Sequence, residues 1–367
     1  MSDSKDNDIG ISPWSFWMRR ALQIASLGDG STSPNPLVGA VVLDSKGNLV
    51  GEGFHSHAGG PHAEVLALSQ AAKKANGGTL VVTLEPCCHY GRTPPCTEAI
   101  IRAGIRKVVI GLKDPDPRVS GGGIILLRKS GIEVITGVLE SEAAHQNREF
   151  IFRIKTGRPW GILKCAMSLD GRVGLTNGKS KWISNEESRQ SVHLLRSKCD
   201  AIIVGARTVR IDNPLLTSRG LISPEPLRVI LTNSLNIPNK AQILDTSIAK
   251  TLIAYGPEAS SGLVDEFPHD LELMQLRSSE PIELLKALSE KGCNKVLWEC
   301  GPTLATAALK QNCVQELKVV IAPKILGGVS AMTPFEEFGF TSMSEVLSMN
   351  NISLRKVGGD LHLSMHL

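Results

Sequence analysis

The chain has 367 residues, 42% hydrophobic and 21% charged, and its 40 Lys and Arg against 36 Asp and Glu leave a net charge of +4. That length exceeds one comfortable core and predicts two domains of a soluble globular enzyme, with no apolar run near the roughly 18 residues a membrane helix needs. A nearly balanced charge without a Lys/Arg block interleaved with aromatics argues against a nucleic-acid partner, and eight cysteines are too few for a disulfide scaffold.

The short acidic start, MSDSKDNDIG, has neither the profile of a secretory signal nor that of a transit peptide, which predicts a cytoplasmic protein. Ser12-Pro13 opens a helical pattern in which Trp14, Trp17, Met18, Ala21 and Ile24 recur at helical spacing, with Gly28 as its stop. LVGAVVL (37–43), the turn DSKGN and LVGEGF (49–54) predict a hairpin. Helix and strand then alternate: PHAEVLALSQAAKKA helical, TLVVTLE a strand, CTEAIIRA helical, KVVIG a strand, and GIEVIT a strand after an intervening helix. This predicts an α/β domain with helices covering a sheet. Gly157 and Pro159 in FRIKTGRP break the rhythm, and the boundary is placed there, giving domains 1–152 and 158–367. WGILKCAMSL predicts a buried strand, and Ser184 with Glu187 a capping box opening a helix through about Ser197. AIIVG, RVILT, TLIAY, KVLWE and LKVVIA predict further strands, with helices between several of them. Two α/β series in tandem predict two sites.

Most of the chemistry is concentrated in HAEV (62–65) and EPCCHYGRTPPC (85–96). Zinc favours thiolate and imidazole ligands, and a catalytic zinc uses three of them with water in the fourth position; His62, Cys87 and Cys96 supply such a set. Glu64, two residues after His62 on the first turn of a helix, stands where it can move a proton from an activated water without binding the metal. Cys96 follows Pro94-Pro95 at a helix start, where the macrodipole favours a thiolate. A closed structural site would want a fourth ligand, which Cys88 or His89 could supply, but it leaves Glu64 without a role. Cys88 in place of Cys87 is a further alternative, the two side chains pointing apart at a strand end. His55 and His57 have a bland reading as solvated loop histidines. The other five cysteines, Cys165, Cys199, Cys293, Cys300 and Cys313, fall in or beside apolar runs and are read as small core residues.

In the second half no Gly-x-Gly-x-x-Gly follows a strand, so a Rossmann site is not predicted. VLWECGPTLATAALK (296–310) reads strand, glycine turn, helix, and the N–H groups at that helix start could receive a phosphate; DAIIVGARTV (200–209) repeats the design. Each is also a common α/β connection.

The His-Ala-Glu plus Pro-Cys-x8-Cys arrangement, with Gly91-Arg92-Thr93-Pro94-Pro95 in its loop, departs from the shorter Pro-Cys-x-x-Cys of the zinc-deaminase signature. It resembles instead the deaminase domain of the bifunctional riboflavin-biosynthesis deaminase/reductase family, as do SPNPLVGAVV (33–42) and GEGFHSHAGGPHAE (51–64). KCAMSLDGRVG (164–174), GKSKWIS (178–184), HLLRSKCDAIIVGARTVRIDNPLLTSR (193–219), WECGPTLA (298–305) and IAPKILGG (321–328) are similar to its reductase half. The resemblance implies a cytidine-deaminase-like α/β/α domain followed by a dihydrofolate-reductase-like α/β domain that uses NADPH. It implies that Asn35 and His55 hold the pyrimidine, and that Ala166, Trp182, Thr208, Asp212, Ser234, Gly301, Pro302 and Thr303 contact the cofactor. Ser180, Arg196, Leu216, Arg219 and Glu299 would line the reductase substrate site, where the two guanidinium forks suit a sugar phosphate. Where the family reads VILDS, this chain has Leu231-Thr232-Asn233-Ser234, keeping an acceptor oxygen without the charge. The implied function is zinc-dependent deamination of a phosphoribosylaminopyrimidine and NADPH-dependent reduction of its ribosyl chain, in a homo-oligomer. The alternative is a nucleic-acid or nucleoside deaminase with a non-catalytic C-terminal binding domain.

Overall fold

The computed structural model describes residues 13–90, 94–117, 120–259 and 267–367. Ser12 and the Gly91–Thr93 part of the proline-lined loop lie outside the described residues. Two compact units divide the chain between Lys155 and Thr156.

The first unit is a five-stranded sheet between helices. The strands are β1 (Gly39–Leu43), β2 (Leu49–Phe54), β3 (Thr79–Leu84), β4 (Lys107–Leu112) and β5 (Glu133–Thr136), in the order β2-β1-β3-β4-β5. The β1–β2 hairpin and the β1–β3 pair are antiparallel, and β3, β4 and β5 run parallel. Every residue of β1 is buried because both faces are covered. Val41, Leu43, Val81 and Val109 meet Met18, Ala21 and Leu22 of α1 (Ser15–Ala25), while Ala40, Val42, Leu80 and Val82 meet Ala63, Ala67 and Ala71 of α2 (Ala63–Ala71). Gly53 lies so close to α2 that a Cβ there would stand 2.5 Å from the Ala63 carbonyl oxygen, which sets the first turn of α2 directly on β2. The helical pattern read through residue 75 ends earlier, at Ala71, and continues as a 3-10 turn over Ala72–Ala75. After α3 (Cys96–Arg102) and α4 (Gly122–Lys129) come two helices that the sequence pattern did not suggest, α5 (Glu140–Gln146) and α6 (Arg148–Thr156).

The second unit carries a nine-stranded sheet. Its strands are β6 (Trp160–Ser168), β7 (Ala201–Gly205), β8 (Leu227–Thr232), β9 (Thr251–Tyr255), β10 (Glu272–Gln275), β11 (Lys295–Trp298), β12 (Glu316–Ala322), β13 (Asn350–Val357) and β14 (Asp360–His366). The order is β10-β9-β8-β7-β11-β6-β12-β14-β13, parallel from β10 to β12 and antiparallel for the last two pairs. Alternate residues serve opposite faces. Ile203, Val229 and Trp298 pack with α9 (Pro281–Glu290) and α10 (Pro302–Lys310), whereas Ile202, Ile230 and Leu297 pack with α8 (Ala206–Asp212). Trp298 is fully buried and its indole N–H donates to the Cys313 carbonyl at 3.0 Å, which satisfies the one polar atom it brings inside. The expected capping box is displaced by one residue: Asn185, not Ser184, caps α7 (Glu186–Arg196), its side-chain oxygen accepting from the Ser188 amide at 2.7 Å. Among the described residues no helix is long and apolar enough to cross a membrane.

Candidate active sites

Parallel sheets present sites beyond the carboxyl ends of their strands, and β3 ends on Glu85-Pro86-Cys87. There the His62 Nδ1 lies 3.2 Å from the Cys96 Sγ and 3.6 Å from the Cys87 Sγ, and the three ligand atoms fall within 4.8 Å of one another. Tetrahedral zinc, with bonds of about 2.3 Å to sulfur and about 2.0 Å to nitrogen, separates its ligand atoms by about 3.5 to 3.8 Å. One imidazole and two thiols so spaced fit that ion in both chemistry and reach. His62 caps the start of α2, Cys96 begins α3 after Pro95, and Cys87 is carried by the strand end, so three elements converge. Cys88 turns away toward the start of α4, where a Cβ on Gly122 would stand 2.8 Å from its sulfur.

The electrostatics differ from expectation in one respect. The amide of Cys96, at the helix start, donates to the sulfur of Cys87 at 3.3 Å rather than serving its own side chain. Cys87 is pulled down to about 4 by the thiol of Cys96, by His62 and by that amide. Cys96 is pushed up, first by the hydrogen bond it gives Cys87 and then by burial. The hydrogen bond from the Cys96 thiol to the Cys87 sulfur thus favours the thiolate on Cys87.

Glu64 is 3% exposed on the first turn of α2, and its carboxyl is pushed up to about 7, by burial first and by the charge on Cys87 second. It faces a cavity of about 470 Å³ also lined by His62, Cys87, Asn35 and His55. The Asn35 Nδ2 lies 2.9 Å from the His55 Nε2, and the His55 Nδ1 lies 3.1 Å from the Pro61 carbonyl. That geometry suits a neutral ring protonated on Nδ1, in keeping with a pKa lowered by burial. His57, by contrast, is an exposed loop residue bonded to the Ser56 hydroxyl. The sequence reading missed Asp114 and Asp116, which also line this cavity just beyond β4. The signal was the Asp-Pro-Asp-Pro run directly after a parallel strand.

In the second unit two cavities, of about 610 Å³ and about 330 Å³, share Lys164, Ala166, Asp212 and Glu299 in their linings. The smaller holds Thr208 and the turn Gly301-Pro302-Thr303. Gly301 begins α10 with no side-chain cap and Pro302 follows at the first helical position, so the free N–H groups of that helix start fit a dinucleotide phosphate. Cys165 and Cys300, read as core residues, are half-buried and line this cavity; Cys199, Cys293 and Cys313 are buried. Trp182 lines the larger cavity and is 64% exposed, its ring beneath the Arg189 guanidinium. Ser234 is exposed in the turn after β8 and lines neither cavity. Ser180, Arg196, Leu216, Arg219 and Glu299 all line the larger one, together with His193, which the sequence reading did not single out. Arg196 reaches Glu299 with both Nε (2.6 Å) and Nη2 (2.9 Å), and its Nη1 donates to the Thr217 carbonyl. Burial would raise the Glu299 carboxyl, but Arg196 outweighs it and holds Glu299 below the usual carboxylate range.

Comparison with known proteins decides between the alternatives. Residues 159–363 match the family model described as the RibD C-terminal domain, and residues 12–112 match the cytidine and deoxycytidylate deaminase zinc-binding region. The riboflavin biosynthesis protein RibD of Synechocystis sp. is 46% identical over 344 residues, covering 94% of this chain and 93% of the relative. The chain belongs to the RibD family. The Escherichia coli RibD is 39% identical over 329 residues, 85% of this chain and 88% of its own length. Two solved structures cover 96% of this chain and 98% of their own. They are Acinetobacter baumannii RibD, with a TM-score of 0.87 at 38% identity, and a Thermotoga maritima diaminohydroxyphosphoribosylaminopyrimidine deaminase/5-amino-6-(5-phosphoribosylamino)uracil reductase, at 0.86 and 36%. RibD is a bifunctional deaminase and reductase of riboflavin biosynthesis, with a zinc-binding deaminase domain and a dihydrofolate-reductase-like domain that uses NADPH. Both expected activities and both cofactors stand, and the nucleic-acid deaminase reading falls.

Proposed function

We propose that domain 1–152 deaminates 2,5-diamino-6-(5-phosphoribosylamino)pyrimidin-4(3H)-one and that domain 158–367 reduces the ribosyl chain of the product to give 5-amino-6-(5-phosphoribitylamino)uracil. The observation that carries the first half is the convergence of His62, Cys87 and Cys96 beside a buried carboxyl in one cavity. Zinc held by these three supplies activation of a water molecule at neutral pH. Glu64, whose carboxyl titrates near neutrality, takes a proton from that water at one oxygen and returns it to the amine as ammonia leaves. Asn35 and His55, fixed against each other, orient the pyrimidine ring edge-on.

In the second half NADPH supplies the reducing equivalent. Ala166, Thr208 and Gly301 to Thr303 hold the cofactor, with Trp182, Asp212 and Ser234 as its outer contacts. Ser180, Leu216, Arg219 and the Arg196–Glu299 pair line the sugar phosphate's side of the cavity. The same reading makes the protein a cytoplasmic homo-oligomer that acts on a small-molecule substrate. Replacement of Glu64 by Gln tests the scheme. Ammonia release should fall by about 10² to 10⁴-fold while NADPH-dependent reduction of supplied deaminated substrate persists. If both steps fail together in a folded protein, the two-site scheme is wrong.

A further inference from the structure

Of the three arginines lining the larger reductase cavity, Arg189 donates to the Ser184 carbonyl at 2.8 Å and lies over the Trp182 ring. Arg196 is already committed to the Glu299 carboxylate and to the Thr217 carbonyl. Arg219 is exposed, and its guanidinium has no hydrogen bond or ion pair among the described residues. It is therefore the arginine of this cavity left for an incoming anion. Its own backbone is unusual: φ is +63°, a left-handed conformation that a side chain other than Gly, Asn or Asp adopts at a cost. Something must hold it there.

The holder is Glu225. One carboxylate oxygen accepts the Ser218 amide at 2.6 Å and the other accepts the Gly220 amide at 2.9 Å, so a single side chain holds the amides of the residues before and after Arg219. The stem of the same loop is fixed from below. Arg228, fully buried in β8, donates to the Leu215 carbonyl at 3.3 Å and to the carbonyls of Asp245 and Ala249. With the stem anchored independently, loss of Glu225 frees the tip of the loop without unfolding its base.

We propose that Glu225 is a positioning residue of the reductase site, which sets the direction of Arg219 so that its guanidinium meets the phosphate of the sugar substrate. The inference rests on the reading of Arg219 as a phosphate contact, and the experiment separates the two. In the full-length zinc-loaded enzyme, Arg219→Ala, Glu225→Ala, Glu225→Gln and the Arg219→Ala/Glu225→Ala double variant are compared for KM of the phosphorylated substrate, KM of NADPH, kcat of reduction and inhibition by inorganic phosphate. Glu225→Ala should raise the substrate KM and the inhibition constant of phosphate about tenfold, with NADPH KM and ammonia release unchanged. Glu225→Gln, which keeps one acceptor oxygen, should fall between wild type and Ala. The double variant should be no worse than Arg219→Ala alone, because the clamp acts only through that arginine. Unchanged substrate KM in Arg219→Ala refutes the phosphate reading itself. A large effect of Arg219→Ala with none of Glu225→Ala, or additive losses in the double variant, refutes the positioning role alone, as does a parallel loss of NADPH affinity.

Discussion

The Arg196–Glu299 pair joins residues 103 positions apart, one at the end of α7 and one just after β11, with side-chain exposures of 14% and 12%. Two charges that far from water must be paired, and the two-pronged contact at 2.6 Å and 2.9 Å pairs them well. Removing one partner leaves the other buried and uncompensated, which costs about 3–5 kcal/mol, whereas replacing both by apolar residues is close to neutral. Glu299→Leu and Arg196→Met should each therefore destabilise the reductase domain by about 3–5 kcal/mol. The double variant should recover most of the loss, because neither charge is then left uncompensated. With a urea dependence of roughly 2–3 kcal/mol per molar, each single variant moves the unfolding midpoint down by about 1–2 M. Urea titration followed by tryptophan fluorescence, to which the buried Trp298 beside Glu299 contributes, reads this directly. Reduction should stay impaired in the stable double variant, because both side chains line the substrate cavity. Single-variant losses under 1 kcal/mol, or a double variant as unstable as the sum of the singles, would refute the claim that the pair is a mutually dependent buried contact.

Cys96→Ala should lower bound zinc after dialysis from about one ion per chain to near zero, measured by elemental analysis, and abolish ammonia release while NADPH-dependent reduction persists. Gly53→Ala forces a Cβ to within 2.5 Å of the Ala63 carbonyl and must displace the turn that bears His62 and Glu64. Displacements near 1 Å at a catalytic group cost about 10²-fold, so steady-state deamination should fall by that factor with reduction unchanged. Asp114 is 8% exposed, and burial pushes its carboxyl from 3.8 up to about 6, with the charges of Asp116 and Glu85 adding and the Asp116 amide and His89 opposing. Because the folded value is raised, the protein resists ionising this group: the penalty is absent below about pH 4, where both states keep the proton, and complete above about pH 6. Asp114→Asn, which can still accept the Asp116 amide, should thus stabilise the deaminase domain by about 3 kcal/mol at pH 8 and by little at pH 4, as measured by denaturant unfolding.

Much of both units was readable because it rests on local pattern. Apolar runs such as those of β1, β6 and β7 announce buried strands, and the zinc-ligand set lies in two short motifs whose residue types are dictated by the ion. The hairpin of β13 and β14 was missed although its pattern is there: Ile352 and Leu354, then Leu361, Leu363 and Met365, alternate with polar residues on either side of Gly358-Gly359. β13 is exposed along nearly its whole length, and its pairing with β14 is what holds it as a strand. The cap of α7 went to Asn185 over its neighbour because Asp360, 175 residues away, fixes the Asn185 amide at 2.8 Å.

The sequence by itself determined the chemistry available here: which residues can bind zinc, which can carry a proton, and which cations can meet a phosphate. Tertiary structure alone decided how those groups are divided. It gave Arg196 to Glu299 and left the Arg219 guanidinium without a hydrogen bond or ion pair among the described residues, set the Cys96 amide on the sulfur of Cys87, and brought Asp114 into the deaminase cavity. Residue type fixes a group's charge and donors, but its partners and its contact with water are set by segments distant in the chain, and no local pattern encodes them.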